Sequence, residues 1–285
     1  SDYPTAASWF GQAWRIAQTM ESPSMLLLSM DGRLQVWYQW NRLDEACEAA
    51  RNILQASEQY QQDRSWQLRS LEILAELTYR AGKSEESEKL LRQHRRIMET
   101  SCPEKSLLLP RVHAAHADWA SALADMREIV RLAEPFPSPE MLASLAEFTI
   151  LANEPIEEQE VICARALQIA QESGSRKFHA IVLRAQGRML TKRENWQEAE
   201  RTLRRALESL KELDLPWEQG ETLACLGDLH RQQAEKSAAT QSEQKGHASL
   251  ARFFFQQALG FFESLHAVHD MQRMKELLEQ EEAAV

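Results

Sequence analysis

The sequence predicts an all-α chain in which one helical hairpin is used repeatedly, and three observations lead there. Gly and Pro are scarce, nine of each in 285 residues, where ordinary usage is roughly 7% and 5%. A short motif recurs as Arg165-Ala166-Leu167, Arg205-Ala206-Leu207 and Gln257-Ala258-Leu259. Between 180 and 213, apolar residues fall at spacings of three and four, the period of one helix face.

The repeat unit can be followed along the whole chain. Ala166 and Ala206 stand 40 residues apart, whereas Ala258 follows after 52, and the polar stretch 233–247 (QAEKSAATQSEQKGH) supplies the extra length. Stepping back by similar intervals gives equivalent positions at Ile129, His94, Ile53 and Ala13. In the clearest unit, Leu183, Gly187 and Leu190 mark a first helix, Arg193-Glu194-Asn195 a turn, and Trp196, Ala199, Leu203, Ala206, Leu207 and Leu210 a second helix. Small residues at Gly187 and Ala199 let two antiparallel helices come close, with larger side chains filling the groove beside them. Such a hairpin cannot cover its own apolar face, and stacking on a neighbour can.

Other stretches depart from the pattern. At the N-terminus only a second helix is legible, around Ala6–Met20, so the first hairpin is incomplete and Trp9 and Trp14 should leave apolar surface uncovered. Because the chain also begins at Ser1, it reads as an excised piece of a longer protein. Pro110 takes the small-residue position of its unit, where it kinks or restarts the helix. Glu147 is expected at the corresponding position one unit later, and Pro135, Pro137 and Pro139 form a rigid connector. The predicted organisation is therefore 1–102 regular repeats, 103–140 an irregular repeat with a bend, and 141–285 regular repeats. The last closes with a capping helix over 269–282 whose Met271, Met274, Leu277 and Leu278 face inward.

Charge narrows the function class. The chain carries 33 Lys and Arg against 43 Asp and Glu, a net charge of −10, which argues against direct nucleic-acid binding because phosphate neutralisation needs clustered cations. No apolar run approaches the ~20 residues that a membrane helix needs, and residues 1–12 lack the pattern of a secretory signal. Cys47, Cys102, Cys163 and Cys225 are widely separated and form no metal-ligand spacing, so they read as reduced thiols in a cytoplasmic protein.

Gly187 with Trp196, Ala199, Leu203 and Ala206 resembles the tetratricopeptide repeat (TPR), and Leu223, Leu226 and Gly227 with Ala251, Phe255 and Ala258 repeat the pattern around the insertion. Arg42-Leu43-Asp44-Glu45-Ala46, Gly82-Lys83-Ser84-Glu85-Glu86 and Asp118-Trp119-Ala120-Ser121-Ala122 resemble the family's turn and second-helix start. The 40-residue period is similar to the long variant in the C-terminal arms of signalling ATPases and MalT-like transcription regulators. The resemblance implies a right-handed α-α superhelix of about six hairpins. It also implies aromatic packing positions for Trp119 and Trp196, and a concave wall of first helices on which a protein or peptide partner binds. Lys and Asn of the family's carboxylate clamp are not reproduced, so no chaperone binding is inferred.

Chemistry was sought on the same map. There is no Gly-rich phosphate loop, H-E-x-x-H or G-x-S-x-G. His113-x-x-His116 beside Asp118 has the raw material of a metal site, against the plainer reading of helix-surface histidines near a turn. His266-x-x-His269 is explained by the dipole at a helix end. Consecutive Phe253, Phe254 and Phe255 cannot share one helix face, so Phe253 or Phe254 should be exposed. The expectation is no enzyme, no cofactor and no metal.

The outward positions of the first helices give the candidate partner site: Asp31, Gln35 and Tyr38, then Glu72, Glu76 and Arg80, then Arg111, then Arg184, Arg188 and Lys192. The last three, four residues apart, place three cations along one face at about 6 Å, suited to the carboxylates of an acidic peptide. The competing reading is a solvated face balanced by acids of the next unit such as Asp228. Two further functions stand beside the interaction module. One is a sensor arm of a signalling enzyme (ATPase, protease or cyclase) whose catalytic domain lies outside this chain. The other is a pocket at 103–140 using His113 or His116.

Overall fold

The computed structural model describes residues 2–60, 64–99, 109–236 and 241–283. Among them are fourteen helices and no strand. They form two compact units, Ser1–Ala117 and Asp118–Val285. The first contains α1 (Tyr3–Thr19), α2 (Pro23–Gln39), α3 (Leu43–Gln59), α4 (Arg64–Arg80), α5 (Ser84–Glu99) and α6 (Leu109–Ala115). The second contains α7 (Trp119–Leu132), α8 (Pro139–Leu151), α9 (Ile156–Glu172), α10 (Arg176–Lys192), α11 (Trp196–Glu212), α12 (Pro216–Lys236), α13 (Gln241–Ser264) and α14 (Val268–Ala283).

Consecutive helices pack on one another from α1 to α5 and from α7 to α14, and α6 packs on α4, giving the serial hairpins that the repeat predicts. Within the units, α2, α4, α8, α10 and α12 are the first helices of their hairpins, and α3, α5, α9, α11 and α13 the second. In the second unit α10 also packs on α8 and α12, which makes the α8–α10–α12 side the tighter, inner wall of that unit.

Hairpin geometry is set by a recurring helix end. Glu21, Asn41, Gly82, Ala117, Asn153, Gly174, Glu194, Asp214 and His266 all take positive φ, between 50° and 78°. In the 190s turn, Glu194 N–H donates to Thr191 O and Asn195 N–H to Leu190 O, both at 3.0 Å, the paired bonds of a Schellman motif. The same pair closes α2, α4, α8, α9, α11 and α13. Counting back seven residues from the positive-φ residue gives the small-residue position: Ala75, Pro110, Ala146 and Gly187. This corrects the expected register at one place. Ala146, only 1% exposed, occupies that position, and Glu147 is its neighbour on the inner wall.

Gly187 confirms the close approach, since a Cβ there would lie 2.5 Å from Leu203 Cγ; at Gly227 it would lie 2.4 Å from Phe255 Cε1. Pro110 restarts a helix: it is the second residue of the short α6, where its missing N–H costs nothing. The first unit's core joins Leu27, Leu34, Tyr38, Ala46, Ala50, Ile53, Ile73 and Leu77. A core cluster of the second unit joins Leu203, Leu207, Leu223, Leu226, Phe254, Phe255, Phe262 and Met274, with Trp196, Met271, Leu277 and Leu278 packed on it. Phe253 is the exposed member of its triplet. Trp9 is 65% exposed, as the bare N-terminal helix predicts, and α1 packs on α2. Cys47, Cys163 and Cys225 are free thiols, and burial pushes Cys163 up to about 12. Cys102, residues 103–108 of the irregular segment, and 237–240 of the insertion lie outside the described residues. No described helix is long and apolar enough to cross a membrane.

Candidate functional site

Three arginines and three glutamates run along the inner wall of the second unit from α8 to α14. Arg184, on α10, is 2% exposed and reaches both neighbouring first helices. Its Nε and Nη2 donate to Glu147 Oε1 on α8 at 2.9 and 2.6 Å, and Nη1 donates to Glu218 Oε2 on α12 at 2.6 Å. One turn along α10, Arg188 donates through Nη2 to Glu221 Oε2 at 3.2 Å and through Nε to Cys225 Sγ at 2.9 Å. Glu221 is also paired with Arg273 of α14, which in turn lies 3.5 Å from Asp270. Lys192 donates to the Ile150 carbonyl at the end of α8 and to Asn153 Oδ1 at 2.6 Å.

The electrostatics follow from burial opposed by neighbours. Burial pushes the Glu147 carboxyl up, and Arg184 opposes it. At Glu221 burial is outweighed by Arg273, Arg188 and Arg184 together, which hold its carboxyl down at about 2. Burial lowers the Lys192 ammonium, and Arg188 lowers it further. The three cations of α10 are therefore not an open stripe. Arg184 is committed to acids on both sides, Arg188 to one side, and Lys192 closes the α8 helix end. Asp228 is not their counterion: it accepts from Arg231 on its own helix at 2.9 Å.

In the first unit the predicted residues are also brought together in pairs. Tyr38 donates to Glu76, and Glu76 pairs with Arg80 at 2.5 Å. The Arg111 guanidinium carbon lies 5.9 Å from the Tyr38 ring centre. Asp31, with Gln35 beside it, pairs with Arg69 of α4 at 2.7 Å. Glu72 is not on the open wall. It is 1% exposed and bonded to His94 Nε2 of α5 at 2.8 Å. His116 lies 3.2 Å from Ser87 Oγ and packs at a tilt of 35° on Tyr79, with ring centres 4.0 Å apart. No group of three metal-donor side chains occurs among the described residues.

The sequence reading missed Glu147, Glu218, Glu221 and Arg273 as partners. A signal was present, because bonded pairs on successive first helices lie about one repeat apart: Asp31 with Arg69, Tyr38 with Glu76, Glu147 with Arg184, and Arg184 with Glu218.

No protein-family description matches the chain, and no curated protein matches it. Among solved structures, the chain is similar to the crystal structure of BtubC (BKLC) from P. vanneervenii. The two share 12% sequence identity over 85% of this chain and 91% of that one, with a TM-score of 0.38.

Proposed function

We propose that the chain is a protein-interaction module, a TPR-like array that receives a peptide or protein partner on the inner wall of its second unit and performs no catalysis. The observation that carries this is the ordering of the α10 side chains. Arg188 and Lys192 are held by α8 and α12, and Arg188 keeps 22% of its side chain accessible. A partner meeting side chains already fixed loses less conformational entropy on binding. Because Arg184 is buried and neutralised, recognition falls to the accessible end of the wall, at Arg188, Lys192, Asp228 and Arg231. Mixed charges there favour a partner with both acidic and basic groups over a uniformly acidic peptide.

The test places a photo-crosslinking amino acid at Lys192 in cells that express the protein, with the same group at Arg201 of α11 as the outer-face control. A discrete partner band from position 192 and none from 201 supports the proposal. Equal labelling from both, or labelling from neither, overturns it.

A further inference from the structure

We infer that His230 of α12 and His247 of α13 form an acid-released latch, which holds the first two turns of α13 on α12 at neutral pH and frees them when both imidazoles carry a proton. It goes beyond the inner-wall reading and does not depend on it. His230 is 2% exposed and His247 is half-buried. Their Nδ1 atoms lie 3.4 Å apart and their ring centres 5.6 Å apart. That centre separation is close to the largest this nitrogen separation allows, so the two nitrogens point at each other along the line joining the rings. One proton fits between them, donated by one ring to the lone pair of the other. Two do not, because an imidazolium is a donor at both nitrogens and has no lone pair to offer.

The surroundings of His230 do not compensate a second charge. Burial opposes it most. From α11, Glu200 favours the charged ring and Arg204 opposes it, and these two already pair with each other at 2.7 Å. From α13, His247 opposes it, and Phe254 lies parallel to the ring with centres 5.5 Å apart. Glu243 stands one turn before His247 on α13. Gln233 on α12 favours the charged ring, yet neither its Oε1 nor His230 Nε2 has a hydrogen-bond partner among the described residues. The second N–H of a His230 imidazolium is therefore stranded as well, at the cost of an unmet buried donor. The balance lowers the His230 imidazole from its ordinary value.

The stretch fastened by this pair buries little else. Within 242–248, Gln244, His247 and Ala248 are half-buried and the other residues are exposed, and the first buried residue of α13 among those described is Ala251. A Cβ at Gly246 would meet nothing within 4 Å, and a glycine inside a helix weakens it. A segment with so few buried contacts opens more readily than the core. Opening gives His230 to water, where it charges in the ordinary range near about 6.5. Because the closed form takes up that proton less readily, the closed form is favoured above this range and the open form gains as the pH falls through it.

The experiment is hydrogen exchange of the full chain followed by mass spectrometry at pH values of about 7.5 and 5.5, which bracket the histidine range, with rates corrected for the intrinsic pH dependence of exchange. Protection of 241–248 should fall about tenfold at the lower pH, the effect of one unit of differential protonation, while protection of α9, which carries no histidine, is unchanged. His247→Gln offers His230 either a donor or an acceptor and does not titrate, so protection of 241–248 should then be the same at both pH values. An unchanged 241–248 in the parent chain, an equal fall in α9, or a retained pH dependence in His247→Gln overturns the inference. Should His247→Gln not fold, imidazole NMR of the parent chain decides: a loss of protection that tracks the His230 ring titration supports the inference, and a loss at a pH where that ring stays neutral overturns it.

Discussion

Replacing Arg184 by Met tests directly whether the cations of α10 hold the array together or face solvent. The guanidinium is 2% exposed and bridges Glu147 and Glu218 on facing helices, at 2.6 Å from each. Taking it away leaves two carboxylates buried near each other, and breaking a buried pair from one side costs about 3–5 kcal/mol. The substitution should therefore lower the stability of the second unit by that amount, read as a fall in the urea midpoint at pH 7 with little change in slope. Adding Glu147→Gln and Glu218→Gln should recover most of the loss, because no charge is then stranded. The loss should also be smaller at pH 5 than at pH 8. Burial already raises the Glu147 carboxyl, and without Arg184 it rises further, so the acid becomes neutral on mild acidification. A single-mutant cost below about 1 kcal/mol, the value of an exposed pair, would refute this reasoning and restore an open cation stripe on α10.

Three further outcomes are expected. Glu221, held at about 2 against an ordinary 4.5, contributes roughly 3 kcal/mol above the unfolded value, lost as the pH falls from about 4.5 toward 2; acid titration of Glu221→Gln should lack that part of the transition. Gly227→Ala should cost about 1–3 kcal/mol, because its Cβ would meet the Phe255 ring at 2.4 Å. Gly260→Ala in α13, with nothing within 4 Å, should instead gain roughly 0.5–1 kcal/mol in thermal unfolding.

The hairpins were legible because they rest on spacing alone. Leu203, Ala206 and Leu210 repeat at three and four, and all three are buried. Gly187 and Gly227 could be read as close-approach positions for the same reason. The helix ends were less legible. Only Gly82 and Gly174 of the nine positive-φ residues are glycine, so Glu194, Asp214 and His266 carry no compositional mark of the turn they form. The candidate site was half legible. Arg184, Arg188 and Lys192 do lie on one face of α10, but whether a cation faces water or an acid depends on the neighbouring helix. That is a contact across one repeat, and periodicity within a helix is blind to it.

This dependence also sorts the charged residues by their physics. Where acids and bases one repeat apart meet, as Arg184 meets Glu147 and Glu218, the charges are satisfied inside the chain and a partner must displace an existing bond to use them. Such residues set the spacing of the helices rather than the choice of partner. Where a cation is held from one side only, as Arg188 is by Glu221, part of its side chain stays accessible to a partner. A charge change at Arg231, paired among the described residues only within its own helix, should thus alter partner binding and leave the denaturation midpoint nearly unmoved, whereas one at Arg184 should move the midpoint first. Measuring both quantities on both variants separates recognition from architecture in one set of four numbers.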